Sequence, residues 1–245
     1  MNVLMLASYG LEIVECGGAL ARAIAAGDKV HAAVLMCRED SKAQVSKAAS
    51  ILGIDDVDYL DVKFGEVDLA PATKTKVVEL IRRTRPDVII MQDPQHAQHD
   101  LDPDRRVIAL LYAEALAVAG RDWRIEECGG HEPTKIPTIY YMTPENPNCV
   151  VEIAEVLDLK LRALEVLASQ NTFSAEHWRA STSDEVLRSV VPGWTDGTLE
   201  TLGREGQRTL FTALALSNGL ASHSGAVLGE AYRREGSFLV DRLTP

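Results

Sequence analysis

The sequence lacks the features that mark several large classes of protein. Its four cysteines lie far apart and form no CxxC pair, which argues against a disulfide framework or a zinc knuckle and favours reduced thiols. There is no GxGxxG motif for a dinucleotide and no GxSxG motif for a serine hydrolase. The segment MNVLMLASYG has no basic stretch followed by a long apolar run. We therefore expect no signal peptide, no membrane-spanning helix and a cytoplasmic location.

Positive charge is also scarce. The 25 Lys and Arg residues are outnumbered by 36 Asp and Glu residues, which gives a formal net charge of −11. Binding to phosphates needs a basic face, so we expect no nucleic-acid partner and no anionic membrane partner. The hydrophobic share of 46% over 245 residues is enough to bury a full core. We predict a single α/β domain over residues 1–245 that assembles as a homo-oligomer.

Strand-like and helix-like segments alternate along the first hundred residues. Short apolar runs predict strands at residues 2–7, 29–36, 57–62 and 88–91, and helical patterns that end at glycine or near proline fall at 19–26, 40–52 and 70–84. This alternation is typical of βαβ units. We predict a Rossmann-like, mainly parallel sheet flanked by helices, with the first strand in a central position.

The rest of the chain is less regular. Asp102 and Pro103 predict the N-cap and first turn of a helix that runs to residue 119. Polar residues 92–101 predict a loop, as do the turn-rich residues 143–149, and residues 173–200 are poorly periodic. Further segments are predicted as strands at 138–142 and 238–240 and as helices at 156–169 and 204–222.

Two loops are candidates for a functional site, because ligands of open parallel sheets bind beyond the carboxyl ends of the strands. The loop at 92–104 carries the densest set of titratable side chains: Asp93, His96, His99, Asp100, Asp102 and Asp104. Histidine transfers protons near neutral pH, and histidine with carboxylates can also bind a metal, although this spacing matches no strict metal motif. Two members have a purely structural alternative, since Asp102 can cap the helix and Asp104 can complement its dipole.

The loop at 8–18 carries Glu12 and Glu15 before two glycines, Gly17 and Gly18. A helix that begins with glycines can let an anionic group approach its backbone N–H donors. The alternative is a tight strand-to-helix connection with no ligand, and the sequence leaves both open.

At these two loops the sequence resembles the PIG-L/LmbE-like superfamily of metal-dependent de-N-acetylases. Members typically carry A-H-P-D-D-E after the first strand and then a G-x-G-G helix start; here residues 7–12 are ASYGLE and residues 15–18 are ECGG. The family's H-P-D-H follows a P-D-V strand; here PDVII is followed by DPDR at 102–105. Four later segments also match the family: IYY at 139–141, PENP at 144–147, KLRAL at 160–164 followed by SQ at 169–170, and GEAYRREGSFLV at 229–240. The stretch YYMTPENPNC is similar to the superfamily's keto-acid hydratase branch. The resemblance implies an LmbE-like fold over nearly the whole chain.

The resemblance also implies where a site would lie, and there the sequence departs from the family. The positions of the three zinc ligands fall on Ser8, Leu11 and Arg105. The general-base aspartate falls on Gly10 and the transition-state histidine on Asp102, whereas Glu12 and Asp104 keep the family's residue type. Leucine cannot bind a metal and arginine repels one, so we predict no metal and no other cofactor at this position. A displaced metal site built from Glu12, His96, His99 and Asp104 stays open.

The sequence thus predicts a divergent hydrolase or lyase for a small, polar, anionic substrate, either an amino-sugar amide or a keto acid. Arg105 would replace the metal as a bidentate clamp for the anion. The alternative is a non-catalytic relative that acts as a binding or regulatory subunit. The predicted catalytic residues are Glu12, Asp104, His99 and His96, and the predicted substrate-binding residues are Ser8, Asp102, Arg105 and Tyr141.

Overall fold

A computed structural model describes residues 1–236 and places a seven-stranded sheet between layers of helices. The strands lie in the order β3-β2-β1-β4-β5-β7-β6. Their bounds are β1 Asn2–Ala7, β2 Lys29–Val34, β3 Val57–Tyr59, β4 Val88–Gln92, β5 Thr138–Met142, β6 Cys149–Glu152 and β7 Gly229–Arg234.

The sheet is mainly parallel, as predicted. Strand β1 pairs in parallel with β2 on one side and with β4 on the other, so that Leu4 lies between His31 and Ile89. Strands β3 and β5 extend the parallel part, and β7 and β6 add two antiparallel strands at the edge beyond β5. The interior position of β1 beside β4 confirms the prediction and brings the two candidate loops to the same edge of the sheet.

Helices cover both faces of the sheet. Their bounds are α1 Leu11–Glu15, α2 Gly17–Ala25, α3 Glu39–Leu52, α4 Pro71–Thr84, α5 Pro94–His99, α6 Pro103–Ala119, α7 Leu157–Glu165, α8 Ala168–Ser181, α9 Asp184–Arg188 and α10 Leu199–Asn218. Side chains alternate along a strand, so Met5 packs against α1–α3 and α7, while Leu4 packs on the other face against α4 and α6. A third small apolar cluster around the buried Trp194 joins α8, α9 and α10.

Both predicted site loops contain a short helix that the sequence analysis missed. Helix α1 follows Gly10, which has φ 103°, and a Cβ there would lie 2.9 Å from Val45 Cγ2. Helix α5 begins where the Asp93 side chain accepts from the N–H of Gln95, so the predicted loop at 92–101 is wrong over those residues. Five and six residues make little more than one turn, which is too short to show a hydrophobic period.

Other boundaries also differ. The strand predicted at 57–62 ends at Tyr59, and the antiparallel strands β6 and β7 were not predicted. The poorly periodic residues 173–200 include the end of α8 and all of α9. The strand predicted at 238–240 lies outside the described residues. Over residues 1–236, no helix is both long and apolar enough to cross a membrane.

Candidate functional site

A cavity of about 760 Å³ opens beyond the carboxyl ends of β1 and β4. Residues from α1, α6, α8 and the start of α3 line it, together with the segment between β3 and α4. Among the described residues that line it are five carboxylates, those of Glu12, Glu15, Asp100, Asp102 and Asp104, and two guanidinium groups, those of Arg38 and Arg105. The cavity is therefore acidic as a whole.

Glu12 and Glu15 form what we call the floor of the cavity. The Glu12 side chain is 2% exposed, and its Oε2 accepts hydrogen bonds from the N–H groups of Tyr9 at 3.1 Å and Gly10 at 3.0 Å. Its Oε1 is buried and has no hydrogen-bond partner in residues 1–236. A buried carboxylate oxygen without a donor is costly, so Glu12 keeps unused acceptor capacity next to the cavity.

Glu15 follows Glu12 by three residues, and this spacing puts the two side chains on one face of α1. Glu15 is only partly exposed. Burial and, second, the negative charge of Glu12 raise the pKa of Glu15 to about 7. Lys160 of α7 also fixes the C-terminal end of α1, because its Nζ donates to the backbone carbonyl of Glu15 at 2.6 Å. Glu15 can therefore gain and lose a proton near neutral pH.

Arg105 lies among the acidic groups. Its Nε is 3.3 Å from Asp100 Oδ2 and 3.8 Å from Asp102 Oδ2, and its Nη1 donates to Gln92 Oε1 at 3.1 Å. The guanidinium also lies over the ring of Tyr9, 5.1 Å from its centre. Burial alone would lower the pKa of Arg105, but the carboxylates of the floor raise it above its usual value. The group is a fixed cation whose charge its neighbours already balance.

The two aspartates at the start of α6 have structural roles as well as a place in the cavity. Asp102 Oδ1 accepts from the N–H of Asp104, which caps the helix as the alternative reading predicted, while Oδ2 accepts a short hydrogen bond from the Tyr9 hydroxyl. Asp104 Oδ2 accepts from the N–H of Gly65 at 2.7 Å and so ties the segment between β3 and α4 to the site.

Aromatic side chains and Arg38 form what we call the mouth of the cavity. Phe64 stacks on Tyr9 with ring centres 5.7 Å apart, and Arg38 lies over Phe64 at 5.9 Å. On the opposite element, α8, Phe173 stacks on His177. Phe64 and Phe173 are 48% and 58% exposed. The sequence analysis did not single out these residues, because they come from segments that only the fold brings together.

Of the predicted site residues, Glu12, Asp102, Asp104 and Arg105 line the cavity, whereas Ser8, His96, His99 and Tyr141 are not among its described lining residues. Ser8 is buried at the end of β1. His96 Nδ1 lies 3.1 Å from Glu145 Oε1, and His99 is exposed on α5.

Tyr141 packs beneath the guanidinium of Arg233, which pairs with Asp93. The structure therefore keeps these side chains outside the cavity, and their functional roles stay predictions. Glu15, Arg38 and Phe64 join the candidate site instead.

The residues at the implied zinc positions do not fit zinc. Ser8 offers only a hydroxyl oxygen as a metal ligand, and Leu11 offers no ligand atom. Arg105 is a cation, and the nearby carboxylates raise its pKa further, so it stays charged. Within the described ranges, no group of three or more His, Cys, Asp or Glu side chains is arranged to hold a metal ion. The four residues suggested for a displaced metal site are likewise not gathered into one cluster.

Comparison with known proteins finds similarity to deacetylases and to a hydratase. No protein-family model matches it. Over 134 residues it is 30% identical to the diacetylchitobiose deacetylase of Thermococcus kodakarensis, a match that covers 54% of this chain and 49% of that relative. The match thus spans about half the length of the curated relative. The resemblance to the PIG-L/LmbE-like superfamily that the two loops predicted is confirmed.

Solved structures with this fold include two enzymes. The N,N'-diacetylchitobiose deacetylase of Pyrococcus horikoshii matches with a TM-score of 0.69 and 18% identity, covering 96% of this chain and 83% of that one. GalB, the 4-carboxy-2-hydroxymuconate hydratase of Pseudomonas putida, matches with a TM-score of 0.70 and 17% identity over 99% of each chain. At these identities the likeness establishes the fold, and the predicted LmbE-like α/β class is confirmed.

Proposed function

We propose that this chain is a hydrolase or hydratase for a small polar molecule and that it works by carboxylate acid–base chemistry. The observation that carries the proposal is the floor of the cavity: Glu12 Oε1 is buried without a partner, and next to it Glu15 has a pKa of about 7. Two carboxyl groups that share a desolvated site cannot both ionise easily, so one of them holds a proton near neutral pH.

Amide hydrolysis and hydration of a keto acid both begin with water. In its ionised form Glu15 takes a proton from the attacking water as the new C–O bond forms. In amide hydrolysis it then returns this proton to the leaving nitrogen as the C–N bond breaks, which gives a carboxylic acid and an amine. In hydration of an unsaturated keto acid the π bond of the alkene opens as the C–O bond forms, and Glu15 delivers the proton to the neighbouring carbon, which gives a hydroxy keto acid. A group with a pKa near the working pH suits both steps. The negative charge of Glu12 acts together with burial to hold the pKa of Glu15 near 7.

The relatives support this choice of reactions. One is named as a deacetylase and another as a hydratase, and both names describe the addition of water to a carbonyl compound or an alkene. The donor set at Ser8, Leu11 and Arg105 does not suit the family's zinc, so no step of the proposal uses a metal. We leave His96 and His99 out of the catalytic set because neither lines the cavity.

A second candidate is a non-catalytic relative that binds a ligand in the same cavity. The observation that favours it is that Ser8, Leu11 and Arg105 stand where the family has its zinc ligands. A protein that lacks the zinc ligands of its relatives need not have another catalytic mechanism. The two candidates make different predictions about turnover.

The test is a turnover screen on the purified chain. For the parent, Glu15→Gln and Glu12→Gln, two signals are followed. One is the release of amine from N,N'-diacetylchitobiose and N-acetylglucosamine, and the other is the change in ultraviolet absorbance of 4-carboxy-2-hydroxymuconate. The control is Glu126→Gln, which changes an exposed carboxylate outside the cavity.

We expect turnover by the parent and the control, with a loss of about 100-fold or more in Glu15→Gln. Because ionised Glu15 acts first, kcat/KM of the parent should rise with pH through about 7. Equal turnover by parent and Glu15→Gln would refute the role of Glu15, and a parent inert on the whole panel would favour the non-catalytic candidate.

A further inference from the structure

Arg38 is an exposed cation at the mouth of the cavity. It occupies the N-cap position of α3, and its guanidinium lies over the Phe64 ring, 5.9 Å from the centre. In the part of the chain that the structure describes it makes no ion pair within 4.0 Å. The acidic residues that follow it are engaged elsewhere, since Glu39 pairs with Lys42 at 2.7 Å and Asp40 accepts from the Ser41 hydroxyl at 3.2 Å.

The two guanidinium groups of the cavity therefore differ. Arg105 is paired with two aspartates and lies near the carboxylates of the floor, so an incoming anion would have to displace or approach negative charge. Arg38 lies over the Phe64 ring, and among the described residues its guanidinium makes no ion pair and no side-chain hydrogen bond. Its N–H donors are therefore available, and their fork matches the oxygens of a carboxylate or a phosphate.

We propose that the substrate carries an oxyanion group, a carboxylate or a phosphate, which Arg38 binds at the mouth. This inference rests on the proposed function of the same cavity. The acidic floor repels the anionic end, and Arg38 attracts it, so the two ends of the cavity orient the substrate with its reacting group toward Glu12 and Glu15. The anion of the predicted substrate is thus assigned to Arg38 and not to Arg105, to which the sequence analysis had given it.

The test compares pairs of ligands that differ only in the anion. Binding of N-acetylglucosamine and N-acetylglucosamine 6-phosphate, and of N-acetylglycine and its neutral amide, is measured by calorimetry. The proteins are the parent, Arg38→Gln, Arg38→Lys and the control Arg188→Gln, which removes an exposed arginine of α9. The phosphate and carboxylate pairs distinguish the two kinds of oxyanion. Thermal melting checks that each variant folds.

We expect the parent and Arg188→Gln to prefer at least one of the anionic ligands by about 10- to 100-fold, as expected for a charge-assisted contact. Arg38→Gln should abolish the preference, and Arg38→Lys should keep part of it. The inference is overturned if Arg38→Gln keeps the preference or if the parent binds neither anion more tightly than its neutral partner. Binding needs no turnover, so a preference that depends on Arg38 in an inert protein would support this inference while the proposed catalytic function failed. Turnover that needs Glu15 but does not depend on Arg38 would instead support the proposed catalytic function and count against this inference.

Discussion

Replacement of Glu15 by glutamine should stabilise the protein at alkaline pH. The pKa of this carboxyl rises from its usual 4.5 to about 7 on folding, so the folded chain holds the proton that the unfolded chain has lost. Below pH 4.5 the group is neutral in both states and its contribution to stability is fully present. That contribution is lost as the pH rises from 4.5 to 7, and above 7 the folded chain carries the full penalty of a buried charge beside Glu12.

The size of the effect follows from the shift. At about 1.4 kcal/mol per pKa unit the rise corresponds to at most about 3 kcal/mol, and the partial exposure of Glu15 to the cavity reduces this to about 1–3 kcal/mol. Urea unfolding at pH 5, 6, 7 and 8 measures it as the difference in unfolding free energy between Glu15→Gln and the parent. We expect the difference to grow with pH in favour of the variant, while Glu126→Gln shows no such trend. A difference that stays constant from pH 5 to 8 would refute the reasoning.

Two further predictions concern the support of the site and the packing behind it. Lys160→Met should destabilise the protein by about 2–4 kcal/mol in chemical unfolding, because it removes the ammonium group that lies 2.6 Å from the buried Glu230 carboxylate. The loss is smaller than for a charge with no partners, since Glu230 keeps hydrogen bonds from the N–H groups of Gly18 and Ala19 and from the Tyr232 hydroxyl. Adding Glu230→Gln should recover part of the loss, and an additive double variant would contradict this. Gly203→Ala should lower the free energy of unfolding by at least about 1–3 kcal/mol, because its Cβ would lie 1.8 Å from the Asn171 carbonyl oxygen. The control Gly193→Ala has open space around it and should be nearly neutral. Equal melting temperatures for the two variants would show that α8 and α10 can separate freely.

Much of the fold could be predicted because its signals are local. The apolar runs of β1, β2 and β4 and the glycine and proline stops of the helices between them define βαβ units without any tertiary information. The antiparallel strands β6 and β7 could not be found in this way, because both are only partly buried and they pair across about eighty residues of chain. Helix α5 was missed although Asp93 and Pro94 repeat the cap pattern that correctly predicted α6 at Asp102.

The candidate site was predicted only in part for a related reason. Glu12, Asp104 and Arg105 occupy positions that a family motif marks, so the sequence alone could single them out. The raised pKa of Glu15 depends on burial by distant elements, and the exposed position of Arg38 over Phe64 depends on the segment after β3. Titratable residue types alone favoured His96 and His99, but the geometry of α5 turns them away from the cavity lining.

Dependence on a metal separates the proposed carboxylate mechanism from zinc chemistry, and one paired measurement decides between the two. Metal content by elemental analysis and turnover are determined on the same protein before and after treatment with a chelator, for the parent and for Glu15→Gln. The carboxylate mechanism predicts that turnover of the parent persists when far less than one metal ion per chain remains and that Glu15→Gln is nearly inactive in both states. Turnover that disappears with the metal, returns in proportion to added zinc and does not depend on Glu15 would contradict it.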